Sequence, residues 1–196
     1  MNRDSALPTR RLQPGTSIAH ARPWGMQPVT LDSPALDVMT DLTKVKAATI
    51  GPSASVRTAE QTMIYQGVRM LFVVSSMPAV EGLITATDLS GDRQMRLVQQ
   101  RGVHYDELCV ADVMTGLAML DAIDFDHMKT ANVGNLVAAM KKHGRNHLLV
   151  VEAASGAAPE RVRGVISRAQ IERQLGTPVN VTEVANSFAE IVQMLA

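Results

Sequence analysis

One short segment of the chain places a hydroxyl and a carboxylate three residues apart, directly after an apolar run. Leu83 and Ile84 have the character of a buried strand, Thr85 stands where that strand ends, and Asp88 stands where a helix begins. A hydroxyl beside the amides of a helix N-terminus suits a phosphate, and a carboxylate accepts hydrogen bonds from the two hydroxyls of a ribose. The same side chains also cap helices, so the segment fits a ligand site and a simple helix cap.

The chain repeats this segment once. Gly164–Gln170 follows the pattern of Gly82–Asp88, with Gln170 in the place of Asp88. Three further pairs of segments match in the same order: 36–40 with 111–115, 63–67 with 140–144, and 71–74 with 148–151. Two ordered sets of matches indicate an internal duplication of one αβ unit, which favours a pseudo-symmetric pair.

On these residues the chain resembles a tandem pair of CBS domains, the Bateman module, of the stand-alone bacterial type. The resemblance rests on Asp37–Thr40 and Asp112–Thr115, on the two helix ends that run from Met to Gly, on the apolar strands after them, and on the two motifs above. It covers about residues 35–176. It implies an α+β fold of two CBS motifs, each a small three-stranded sheet with two helices, packed as a pseudo-two-fold pair.

Four segments divide the chain. We predict a flexible N-terminal arm over 1–33, a first CBS copy over 34–104, a second over 105–176, and a C-terminal helix over 177–196. The arm holds four of the nine prolines and has no hydrophobic period, so it buries too little surface to fold alone. Trp24 is its candidate anchor on a partner subunit.

The predicted elements follow from apolar patterning and from helix and turn signals. The C-terminal segment repeats apolar residues at helical spacing on one face, typical of core or of a dimer seam. Those residues are Val184, Phe188, Ile191 and Leu195. In the first copy we predict strands over 44–50, 69–75 and 80–85 and helices over 56–66 and 89–101. In the second we predict strands over 119–125, 147–152 and 161–167, a helix from Thr130 or Asn132 to His143, and a helix over 168–175.

The resemblance also implies a nucleotide site in a cleft between the two copies. Carried over to this chain, Thr85 contacts a phosphate and Asp88 holds the ribose hydroxyls, with Thr87 between them in the motif. Gln170 offers a ribose only an uncharged amide oxygen, a weaker acceptor than a carboxylate. We therefore expect an asymmetric module with one competent site at Asp88 and a second site that is weak, altered or empty.

The adenine would lie against the backbone of Thr49 and Ile50 and against the start of the next strand, Arg69 and Met70. Such positions supply an apolar slot with a few backbone partners.

Basic residues of the opposing copy would offset the phosphate charge. Arg145 and Arg168 are the candidates, with His147 behind them, and Ser167 with Arg168 offers a second place for a phosphate. Ordinary solvated surface is the other interpretation of these arginines.

Composition limits the remaining function classes. The net charge is zero with 19 residues of each sign, and aromatic residues make up 3% of the chain, so we expect no nucleic-acid partner.

The single cysteine, Cys109, excludes an internal disulfide and suggests a buried, inert thiol. No histidine stands at metal-ligand spacing with other ligands, and no phosphate loop, nucleophile elbow or zinc-protease motif occurs. The chain lacks an apolar membrane span or signal core, so we expect a cytoplasmic protein.

The sequence favours two functions. The first is a regulatory module that senses an adenine nucleotide, performs no catalysis, needs no cofactor, forms a homodimer and signals to an effector protein. The second is a dimeric interaction scaffold with a degenerate cleft, which Gln170 favours. A weaker third is a regulatory subunit of a separate catalytic protein. AMP, ADP, ATP, S-adenosylmethionine and NAD would all use the same ribose acceptor, so the sequence does not choose among them.

Overall fold

The computed structural model describes residues 9–17, 27–90, 92–155 and 159–181. The predicted anchor Trp24 and the predicted C-terminal helix over 182–195 lie outside these residues.

Two four-stranded sheets form the framework, which confirms the α+β class. One sheet has the order β2-β3-β4-β5, with strands Thr49–Ile50, Met70–Val73, Gly82–Thr85 and Thr115–Gly116. The other has the order β1-β8-β7-β6, with strands Met39–Asp41, Arg161–Ser167, His147–Glu152 and Ala122–Asp124. The helices are α1 Val56–Gln66, α2 Ala86–Ser90, α3 Asp92–Arg101, α4 Val110–Val113, α5 Phe125–Met128, α6 Val133–His143 and α7 Arg168–Leu175.

The two copies exchange their first strands. Strand β1 opens the first copy but pairs antiparallel with β8 of the second, where Asp41 lies opposite Gly164. Strand β5 opens the second copy but pairs with β4 of the first, where Gly116 lies opposite Gly82. Each sheet therefore has a fourth strand in addition to the three that we predicted, because the partner of a strand of two or three residues cannot be read from its own short pattern.

The exchange explains the glycine of each motif. A Cβ atom at Gly164 would lie 2.7 Å from Met39 Sδ and 2.9 Å from the carbonyl oxygen of Thr40. A Cβ atom at Gly82 would overlap the carbonyl oxygen of Thr115 and lie 3.2 Å from Gly116 Cα. Both glycines therefore let the exchanged strand approach closely.

The long helices follow their predicted caps. Ser55 accepts a hydrogen bond from the Thr58 amide at 3.1 Å, and Gly67 ends α1 with φ 65°. Asn132, rather than Thr130, caps α6 through a bond of 2.9 Å from the Asn135 amide. Strands β7 and β8 and helices α1 and α7 have the predicted bounds.

The strands predicted over 69–75 and 80–85 are shorter by one or two residues at an end, at Met70–Val73 and Gly82–Thr85. Three other predicted elements are wrong by three residues or more at one end. The strand over 44–50 is reduced to Thr49–Ile50, because Asp41 closes a turn with Thr43 and Lys44. The helix over 89–101 begins three residues earlier than predicted, at Ala86, and is described as α2 and α3 on the two sides of residue 91. The strand over 119–125 is shortened to Ala122–Asp124 because a 3-10 turn occupies Leu117–Met119.

An apolar cluster joins the two copies. It combines residues of β3 and β4 with residues of β7 and β8: Met70, Phe72, Leu83, Leu149 and Val165. Each copy also has its own core. Among the described helices, none is long and apolar enough to cross a membrane.

Candidate functional site: a cleft between the two copies

A cleft of about 970 Å³ lies between the two copies. The first copy contributes the segment before β2 and the turn between α1 and β3, and the second contributes the start of β7, the end of β8 and α7. Its lining comprises Thr40, Leu42, Val45–Ala48, Gln66–Met70, Phe72, His147, Val165, Ser167, Ala169, Gln170, Glu172, Arg173 and Gly176–Pro178. Both copies are thus needed to form it.

The cleft contains four of the predicted site residues: Arg69, Met70, His147 and Ser167. From the sequence we predicted that Arg69 and Met70 share a site with Asp88 of their own copy. In the structure these two residues share the cleft with the motif of the second copy, Ser167 and Gln170.

Thr85 and Asp88 form a helix cap. The Asp88 carboxylate accepts bonds from the Thr85 amide at 2.8 Å and from the Thr85 hydroxyl at 2.7 Å, both to Oδ2. The Thr85 hydroxyl also accepts from the Asp88 amide at 3.3 Å. This reciprocal pattern is a capping box. Thr85, Thr87 and Asp88 are not among the residues that line the cleft.

The second motif is bonded differently. Ser167 occupies the N-cap position of α7 and makes no side-chain capping bond. The Gln170 side-chain oxygen accepts from Arg173 Nη2 at 2.7 Å, and its Nε2 donates to the Gln174 side-chain oxygen at 2.8 Å. Ser167 therefore lines the cleft, and its hydroxyl does not cap the N-terminus of α7.

The cleft carries an excess of positive charge. Its charged lining residues are Lys46, Arg69 and Arg173 against Glu172. Burial first, and then the charges of Arg69 and Arg168, lower the pKa of His147 to about 4, so this imidazole is neutral at pH 7. Charge of one sign in a walled cleft attracts ligands of the opposite sign.

Arg168 and Arg145 are not cleft-lining residues. Arg168 Nε lies 3.8 Å from the Glu172 carboxylate. Arg145 Nη2 donates to the Met119 carbonyl at 3.2 Å and lies 3.6 Å from Asp121.

Thr49 and Ile50 lie just beyond the lining, which ends at Ala48. The carbonyls of Ala48 and Ile50 accept from the β3 amides of Phe72 and Val74, each at 2.9 Å. Backbone groups alternate in direction along a strand, so the amide and carbonyl of Thr49 point away from β3, at the open edge of this sheet.

Sequence reasoning missed most of the cleft lining. Four of the missed residues, which the cross-copy packing brings in, are Lys46, Ala47, Gln66 and Arg173. Only Arg173 gave a usable signal, because it follows Gln170 by three residues on a helix and shares its face. The others lie in or beside loops and have no motif. The cleft combines an apolar wall of Ala47, Ala48 and Met70 with a positively charged side, which suits an anionic ligand that has a flat apolar part.

The remaining chemistry is limited. Cys109 is half-buried, and its Sγ donates to Asp112 at 3.0 Å. Within the described ranges, His, Cys, Asp and Glu form no group of three or more that could hold a metal ion.

Comparison with known proteins agrees with this architecture. Residues 35–91 match the model of the CBS domain family. The fold is similar to that of a conserved protein from Pyrococcus horikoshii, with 22% identity, TM-score 0.51, and coverage of 73% of this chain and 92% of that chain. It is similar as well to a CBS-domain protein from Agrobacterium tumefaciens, with 18% identity, TM-score 0.51, and coverage of 74% and 93%.

A third similar structure is a CBS domain pair in complex with 5′-methylthioadenosine and S-adenosyl-L-methionine. It has 17% identity, TM-score 0.50, and coverage of 74% of this chain and 97% of that chain. No curated protein matches the chain. Residues 35–91 therefore form a CBS domain, and the chain as a whole has the fold of a CBS domain pair.

Proposed function

We propose that the protein is a regulatory module that binds an adenine nucleotide in the cleft between its two CBS copies and performs no catalysis of its own. The observation that carries the proposal is the composition of the cleft. It has an apolar wall, basic side chains and the motif residue Ser167, whose hydroxyl makes no capping bond. The similar CBS pair in complex with two adenosyl compounds supports the same ligand class.

From the chemistry of the lining we propose which residues contact the adenine and which contact the phosphate. The adenine packs between Ala47, Ala48 and Met70, which offer apolar surface. The phosphate lies near Arg69 and the Ser167 hydroxyl, since a charged donor and a hydroxyl at a helix start both suit an anion.

In the proposed mode Gln170 supplies the ribose acceptor through its amide oxygen. The competent site that we predicted at Asp88 stays a prediction, and Thr85 already donates two bonds to Oδ2 of that carboxylate. We further propose a cytoplasmic homodimer that reports occupancy to an effector protein, with AMP, ADP, ATP or S-adenosylmethionine as the ligand.

The interaction scaffold is the second candidate. It is favoured by the bonds of Gln170 to Arg173 and Gln174, which already use its oxygen and one hydrogen. If those bonds persist, Gln170 keeps at most the second lone pair of its oxygen for a ribose.

Calorimetric titration of the full chain with AMP, ATP and S-adenosylmethionine tests the proposal. We expect saturable binding to the wild type and roughly tenfold weaker binding to Arg69→Ala, because a hydrogen bond to a charged group is lost. Arg57→Ala is the matched control, since Arg57 pairs with Asp106 on the surface, where its side chain is 61% exposed.

Asp88→Ala, titrated in parallel, separates the two motifs. Loss of binding in this variant alone would move the site to the first motif. No heat with any of the three ligands, on protein shown to be folded, would overturn the sensor and leave the scaffold.

A further inference from the structure

Helix α7 connects the cleft to the N-terminal arm through side-chain amides. Gln170 lines the cleft, and its Nε2 donates to the side-chain oxygen of Gln174 at 2.8 Å. Gln174 lies behind the cleft and is only 5% exposed. The two glutamines are one helical turn apart, so this bond follows one face of the helix.

Gln174 in turn holds the arm. Its Nε2 donates to the carbonyl of Gln27 at 3.0 Å and to the carbonyl of Asp37 at 3.2 Å. The backbone carbonyl of Gln174 accepts from the Val29 amide at 3.0 Å. Val29 is buried in the core of the second copy. The segment from 27 to 37 is therefore held to α7 through Gln174, while its backbone also bonds to residues 131–134 at the start of α6.

This chain of bonds uses both donors of Gln174 and one lone pair of each amide oxygen. A primary amide has two N–H donors, and those of Gln174 go to Gln27 and Asp37. Its oxygen accepts from Gln170, whose own oxygen accepts from Arg173. A nucleotide that turns the Gln170 side chain toward its ribose withdraws the Nε2 of Gln170 from Gln174.

The withdrawal has an energetic consequence at the arm. If Gln170 turns toward a ligand, the buried oxygen of Gln174 loses its donor, and an unsatisfied buried acceptor is unfavourable. The side chain of Gln174 can regain a partner only by moving, which weakens its bonds to the arm.

We propose that nucleotide binding in the cleft loosens residues 27–37 from α7 through Gln170 and Gln174, so that the arm reports occupancy of the cleft. This inference rests on the proposed function, because it needs a ligand in that cleft. Coupling of this kind is reciprocal, so release of the arm tightens nucleotide binding by the same factor.

Hydrogen exchange of the full chain, with and without saturating AMP, tests the inference. We expect the Val29 amide to exchange about tenfold faster with AMP, since exchange reports local opening. If AMP gives no heat in calorimetry, whichever of ATP or S-adenosylmethionine does replaces it. Binding without any change at residues 27–37 would overturn the inference and leave the proposed function standing. No binding of any of the three would overturn both.

A variant sharpens the result. In Gln174→Met, which keeps the side-chain length and removes the amide, the Val29 amide should exchange fast without AMP and respond no further to it. AMP should bind this variant several-fold more tightly, because no bond to Gln174 has to break. Gln61→Met, on the exposed face of α1, is the control and should behave as the wild type. Should Gln174→Met fail to fold, the wild-type comparison still decides.

Discussion

The two copies place the same motif at the same point of the fold and use it differently. In the first copy Thr85 and Asp88 hydrogen-bond to each other and cap the N-terminus of α2. In the second, Ser167 makes no capping bond, and Gln170 bonds along α7 toward the arm. The duplicated motif thus serves local structure in one copy and leaves a hydroxyl for the cleft in the other. A motif match alone does not say which role a copy has.

The motif glycines should give the largest difference between the copies. Gly82→Ala should destabilise the protein by about 3 kcal/mol, because the added Cβ meets the backbone carbonyl of Thr115, which cannot move alone. Gly164→Ala should cost about 1–2 kcal/mol, since Met39 is flexible although the Thr40 carbonyl is not. Urea unfolding measures both. Gly116→Ala, which meets nothing within 4 Å, is the control, and equal losses at all three glycines would contradict the account.

His147 should give the second difference, as a dependence of stability on pH. Its partner in the first copy is Met70, at the same position of the repeat. The folded pKa of His147 is about 4, below its ordinary 6.5. Between pH 6.5 and pH 4 the unfolded chain binds one more proton than the folded chain. The free energy of unfolding is therefore highest above pH 6.5 and falls by about 3 kcal/mol as the pH drops toward 4.

His147→Met should remove that part of the pH dependence. Unfolding free energies measured from pH 7 to pH 4.5 would then decline less steeply in the variant than in the wild type. A parallel decline in the two proteins would show that His147 is not the titrating group.

The motif hydroxyls should give the smallest effect on stability and the clearest division of roles. Thr85→Ala should cost about 1 kcal/mol through loss of the cap. Ser167→Ala should change stability by less than about 0.5 kcal/mol, because its hydroxyl caps nothing. The order should reverse for nucleotide affinity, with Ser167→Ala several-fold weaker and Thr85→Ala near the wild type. Thermal unfolding and calorimetry on the same samples give both quantities.

Much of the fold follows from local signals. Ser55 and Gly67 bound α1, Gly176 ends α7, and unbroken apolar runs mark β7 and β8. The exchange of β1 and β5 could not be predicted, because two or three residues carry no period and their partners are distant in sequence.

The candidate site could be predicted only in part. Ser167, Arg69 and Met70, which we predicted as site residues, line one cleft, but the prediction had placed Arg69 and Met70 with Asp88. Which motif faces which β3 depends on how the two copies pack, and the sequence of one copy does not contain that information.

The most direct test of the central claim is a crystal structure of the full chain with AMP. We predict that the nucleotide lies between Met70 and Ser167 with its phosphate near Arg69. We also predict that the Gln170 side chain no longer bonds to Gln174 and contacts the ribose. A nucleotide held by Asp88, with the Ser167 cleft free of ligand and Gln170 still bonded to Gln174, would contradict it.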